Sequence, residues 1–145
     1  MKHFTRSEFF TNGSTDNPET LTKIDNWINY LSEVRQLVGF KIKITDGVRF
    51  GEGTSQHYYR GNGAVDIRPV DRHDPSKMIA LGLALAASKH ITRVCYYPPS
   101  KRFPTGGFHC DRKIGGKFLF VNKGVEIDWE RMTEKEYCNF LIDSF

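Results

Sequence analysis

The chain has 145 residues, 39% hydrophobic, 13% aromatic and 26% charged, which is enough apolar mass for one sizeable core but not for two ordinary ones. That mixture, with 11 Phe, 6 Tyr and 2 Trp, excludes a disordered chain, and no apolar run reaches the roughly 18 residues of a membrane span. The net charge of +4 comes from scattered Lys and Arg with no basic block, so it suits an anionic partner such as nucleic acid or a wall polymer without marking a dedicated polyanion groove.

A single domain spanning residues 1–145 is expected, since no repeat, low-complexity tract or Pro/Gly/Ser linker marks a boundary. The N-terminus meets an acid, Glu8, before any apolar signal core, so a chain without a secretory signal is expected. The three cysteines, Cys95, Cys110 and Cys138, are odd in number and lack CxxC spacing. That argues against a disulfide framework and a thiolate zinc site, and for a reducing compartment.

In chain order, Ser7 is placed as the cap of a short aromatic turn ending at Phe9-Phe10, followed by a polar loop from Thr11 to Asp16. Asn17 then reads as an N-cap with Pro18 at the first helical position. Leu21, Ile24, Trp27, Ile28, Leu31, Val34 and Val38 recur on one helical stripe, and Gly39 stops the run. Residues 40–45 alternate apolar and polar as a half-buried strand, and Asp46-Gly47 turns the chain. A second strand is read at 64–68, and Asp74-Pro75 opens a helix running toward Lys89-His90. Further strands are expected at 93–97, around 107–111 and at 117–121. Thr133 and Glu136 form a capping box ahead of a last helix carrying Tyr137, Phe140 and Leu141. The elements mix without a repeating strand–helix–strand order, which predicts an α+β fold with a mainly antiparallel sheet.

Two of the five histidines stand near an acid in a suggestive setting: His57 in a Gly-rich loop that runs onto a strand bearing Asp66, and His109 on another strand beside Asp111. Zinc accepts imidazole nitrogen and carboxylate oxygen, and a catalytic zinc takes three protein ligands with one open position. His57, Asp66 and His109 supply that set for one Zn²⁺ per chain. His3, His73 and His90 read as surface residues.

Ser55-x-His57, Ala64-x-Asp66 and the strand His109 resemble the zinc signature of the D-Ala-D-Ala carboxypeptidase and peptidoglycan endopeptidase family. The opening Phe4-Thr5-Arg6-Ser7-Glu8-Phe9, the Asn17-Pro18 pair and the segment from Lys43 to Arg49 are similar to its small phage and bacterial members, so the likeness runs from residue 4 to 111. His57-Tyr58, Ala64-Val65-Asp66-Ile67 and His109-Cys110 also resemble the zinc domain of hedgehog signalling proteins. The chain departs from the peptidases in two places. Asp66 lies nine residues after His57, two more than in that family, and no acid occurs from Arg93 to Cys110, where the family carries one shortly before the last His.

The resemblance implies a hedgehog/DD-peptidase-like fold and a zinc metallopeptidase that cleaves peptidoglycan stem peptides with a metal-activated water. It also implies substrate anchoring by Arg49; beside it Ser55 is expected to brace the ligand loop, and Tyr58, with Tyr59, Tyr96 and Tyr97, to line a substrate groove. Hydrolysis needs a proton acceptor, and Asp111, two residues beyond His109 on the same strand face, is the nearest candidate. Its other reading is an outer partner of a ligand His; Asp46 and Glu52 are next in line as acceptors. A monomer is expected, with peptidoglycan as partner and neither nucleic acid nor membrane. It would be cytoplasmic or phage-encoded, reaching the wall after release. A non-catalytic, zinc-stabilised binding module is the alternative.

Overall fold

The structure, a computed structural model, describes residues 3–11, 18–47, 63–112, 116–124 and 126–145. It is α+β, as the sequence predicts: a six-stranded, mostly antiparallel open sheet with three helices. A 3₁₀ turn, Arg6–Phe9, precedes helix α1 (Pro18–Val38), strand β1 (Ile42–Asp46), strand β2 (Ala64–Pro69) and helix α2 (Pro75–Ala87). Strands β3 (Arg93–Tyr97), β4 (Gly107–Asp111), β5 (Phe118–Asn122) and β6 (Trp129–Met132) and helix α3 (Glu134–Asp143) follow. No helix among the described residues is long and apolar enough to cross a membrane.

The sheet order is β1-β2-β4-β3-β5-β6, and the β3/β5 pair alone is parallel. Side chains alternate between faces along each strand. Ile42, Ile44, Val65, Ile67, Val94, Tyr96, Phe108, Cys110, Leu119 and Val121 join the buried cluster that also holds the helices' apolar stripes. The intervening residues Asp66, Cys95, His109 and Asp111 stay outside that cluster, which leaves polar chemistry for the other side of the sheet.

Local signals explain most boundaries. Gly39 takes φ +78° and its N–H donates to Arg35 O at 3.0 Å, closing α1 in a conformation that costs glycine little. The Asp74 carboxylate accepts the Ser76 N–H at 3.0 Å at the start of α2, and Thr133 accepts the Glu136 N–H at 3.1 Å at the start of α3. At the end of α2 the Lys117 ammonium donates to the carbonyls of Leu85, Ser88 and Ile91 at 2.7, 2.8 and 2.5 Å, occupying acceptors that a helix terminus leaves over.

Three expectations shift. The first turn is opened by Thr5, whose N–H donates to Glu8 Oε2 at 2.7 Å, and Ser7 lies inside the turn. Asp46 is the last residue of β1, not a turn residue. Strand β6, with the sequence Trp-Glu-Arg-Met, has no counterpart in the sequence reading. The Asn17 cap lies outside the described residues.

Candidate functional site

β2 and β4 lie side by side in the middle of the sheet, and their register makes Asp66 and His109 direct cross-strand partners. Partners in register share a face, and Asp66 Oδ1 stands 3.0 Å from His109 Nδ1. Two residues further along β4, Asp111 falls on the same face, with its Oδ2 2.8 Å from His109 Nε2. Both nitrogens of one imidazole are therefore engaged by carboxylates.

Asp111 is fully buried, and a carboxylate there needs a cation. The register of β3 on β4 provides it, because Arg93 pairs with Asp111. Arg93 Nε donates to Asp111 Oδ2 at 2.8 Å and Nη2 stands 2.6 Å from the same oxygen. The guanidinium lies 4.9 Å from the centroid of the Trp129 ring, whose centroid is in turn 5.0 Å from that of His109. Trp129 Nε1 donates to the Tyr97 hydroxyl at 2.5 Å, so the ring that backs the site is itself tethered. Burial pushes the Tyr97 hydroxyl up to about 12, so it remains protonated at neutral pH.

Burial alone would push the His109 imidazolium down, but its hydrogen bonds to Asp111 and Asp66 outweigh this and raise its pKa to about 9. Without metal, the ring at neutral pH is an imidazolium donating from Nδ1 to Asp66 and from Nε2 to Asp111. A cation bound between Asp66 and His109 would have to take the place of the Nδ1 proton.

The spacing of this one donor pair suits two neighbouring ligands of a tetrahedral zinc. Bond lengths of 2.0–2.1 Å at a tetrahedral angle put neighbouring ligand atoms about 3.3 Å apart, within a few tenths of an ångström of the Asp66–His109 spacing. Asp66 is the more open of the two, its side chain 36% exposed against 9% for His109. His57, Arg49, Ser55, Tyr58 and Tyr59 lie outside the described residues. Among the described residues no group of three His, Cys, Asp or Glu side chains is arranged to hold a metal. The structure thus brings together two of the three expected ligands, and Asp111 with them.

Cys95 is the cross-strand partner of His109 on β3 and is fully buried, and burial pushes its thiol far up, so it is not a thiolate at neutral pH. Cys110 points into the core on the other face. Asp46 enters differently. An irregularity between Ile44 and Asp46 shifts the β1 register so that Asp46 pairs with Asp66, the re-aiming that a bulge performs. Thr11 Oγ1 donates to Asp46 Oδ1 at 3.2 Å and accepts the Gly47 N–H at 2.8 Å.

Arg93 and Trp129 are the site residues that the sequence reading missed; of the tyrosines expected along a groove, Tyr97 lies at the site and Tyr96 packs into the core. Arg93 and Tyr97 alternate with Cys95 on a strand that was expected, but which strand they face is a matter of long-range pairing. A comparison of the chain with protein-family models, curated proteins and solved structures finds no match.

Proposed function

We propose that the chain is a zinc-dependent peptidase of the hedgehog/DD-peptidase type acting on peptidoglycan stem peptides. One observation carries this reading: Asp66 Oδ1 and His109 Nδ1 converge at 3.0 Å while the far nitrogen of the same imidazole is held by Asp111. Ligand histidines are characteristically steadied in this way through their second nitrogen by a carboxylate. Asp66 and His109 would hold the metal with His57, and zinc bound there supplies the Lewis acidity that amide hydrolysis needs.

The chain's own residues do the rest. Asp111 keeps the His109 ring oriented, and its burial favours that role over contact with substrate. Arg49 would take a peptide carboxylate as a fixed, forked cation. Trp129 packs on His109, Tyr97 and Phe120 on Trp129, and Phe103 on Tyr97, and these half-buried rings would give the peptide an apolar flank. Asp46, in register with Asp66 and 9% exposed where Asp111 is 0%, would accept the proton.

The same burial of Asp111 favours a second reading, a zinc-stabilised binding module without catalysis, because it withdraws the nearest acid from water. Incubation with purified peptidoglycan, followed by mass spectrometry of the released fragments, separates the two. The peptidase releases peptides or D-alanine, loses this activity to a chelator and regains it with Zn²⁺. A zinc-loaded protein that releases nothing from any wall tested is the binding module.

A further inference from the structure

Beyond compensating the charge of buried Asp111, Arg93 is held by contacts that converge on a single carboxylate oxygen. Its guanidinium is fixed from three directions. Strand register sets it across from Asp111, two of its nitrogens converge on Asp111 Oδ2 at 2.8 and 2.6 Å, and its plane rests over Trp129 at 4.9 Å. The oxygen it grips is the one that stands 2.8 Å from His109 Nε2. Trp129 touches both ends of this chain, lying under Arg93 and against the His109 ring.

We propose that Arg93 is a positioning residue of the metal centre: by gripping Asp111 Oδ2 it aims that oxygen at His109 Nε2, and so presents His109 Nδ1 toward Asp66 and the metal. This rests on reading His109 as a ligand. An imidazole turns about its Cβ–Cγ bond unless something holds its distal nitrogen, and a carboxylate holds it only if its own torsion is fixed. Arg93 fixes that torsion with a planar fork, which an ammonium cannot reproduce. The route is Arg93 to Asp111 to His109, and Arg93 itself touches neither metal nor substrate.

The test measures Zn²⁺ affinity by chelator competition and the Co²⁺ absorption spectrum in wild type, Arg93→Met, Arg93→Lys, Asp111→Asn and the Arg93→Met/Asp111→Asn double variant. Methionine keeps the packing on Trp129 and removes the fork. Arg93→Met is expected to weaken Zn²⁺ binding by about 10- to 100-fold, the usual worth of an outer-shell partner, and to alter the Co²⁺ bands. Arg93→Lys recovers part of the loss. The double variant binds no more weakly than Asp111→Asn alone, because Arg93 acts only through that carboxylate.

Wild-type affinity in Arg93→Met, or losses that multiply in the double variant, would overturn the proposal. If Arg93→Met does not fold, Arg93→Lys carries the test, and unimpaired affinity there overturns it. A metal-free readout separates this from the ligand assignment: in ¹⁵N-histidine-labelled protein, the His109 Nε2–H resonance should be protected from exchange in wild type and lost in Arg93→Met. A wild type that takes no zinc, yet whose Nε2–H signal depends on Arg93, sinks the metal reading and keeps the positioning role. A signal indifferent to Arg93 sinks the positioning role whatever the metal does.

Discussion

Asp66 and His109 meet at 3.0 Å as cross-strand partners of β2 and β4, so the spacing of the two donors is set by backbone register and not by flexible side chains alone. Strand pairing holds the two Cα atoms close together, and a short aspartate facing an imidazole has few rotamers that bring Oδ1 to Nδ1. A site built this way on paired strands is organised before its cation arrives.

Metal uptake is accordingly predicted to release a proton. His109 carries one on Nδ1 at neutral pH, because its hydrogen bonds to Asp111 and Asp66 outweigh burial and raise its pKa to about 9. Zinc displaces it. Calorimetric titration at pH 7 in buffers of different ionisation enthalpy should show about one proton released per zinc through this group, with affinity rising with pH until about 9. A binding enthalpy independent of the buffer would remove His109 Nδ1 from the ligand set.

The metal-free protein should show the matching trend in stability. The folded-state pKa of His109 lies above the unfolded value of 6.5, so its contribution is complete below that pH and fades as the pH climbs through about 9. Melting in the presence of chelator should reveal a decline over this window. His109→Ala, less stable overall, should be flatter across it; the same slope in both proteins would assign the decline to another group.

Legibility in the sequence followed the range of the interactions. The α1 stripe through Trp27 and Leu31, the Asp74 cap and the Thr133/Glu136 box depend on neighbours within four residues, and they stand as read. Thr5 with Glu8 carries the same capping-box spacing but was passed over for Ser7, which lies nearer the aromatic pair. β6 escaped because its centre, Glu130-Arg131, is charged as edge strands often are, which erases the apolar alternation. Asp66, His109 and Asp111 could be singled out by residue type and motif. Arg93 could not, since its importance comes from pairing with a residue eighteen positions away.

The packing of α3 on α2 turns on one glycine. A Cβ on Gly82 would lie 2.3 Å from Leu141 Cδ2 and 2.9 Å from Phe108 Cζ, while the Gly82 carbonyl accepts the Tyr137 hydroxyl at 2.9 Å. The Leu141 methyl can swing aside, but the Phe108 ring is locked in the core. Gly82→Ala gains up to about 1 kcal/mol of helix propensity and incurs about 1–3 kcal/mol of overpacking. A net loss of stability is therefore expected in urea unfolding, and a stabilised variant would show that α3 can move away.

If the chain is the peptidase proposed above, Asp46 is predicted to be its proton acceptor. On that reading Asp66 and His109 hold the metal, and Asp111 is fully buried beneath Arg93 and His109. The register shift in β1 brings Asp46 opposite Asp66, one strand spacing from the ligand, and Thr11 steadies its carboxylate through a 3.2 Å hydrogen bond. Asp46→Asn keeps size and shape while abolishing the basicity, so kcat/KM on a stem peptide should fall by about 10²- to 10⁴-fold with zinc content unchanged. Thr11→Val, which removes that one hydrogen bond and keeps the carboxylate, should cost less. Loss of zinc together with activity in Asp46→Asn would make Asp46 part of the metal's support instead. Undiminished turnover with zinc retained would pass the acceptor role to Glu52, the one acid in the sequence between β1 and β2.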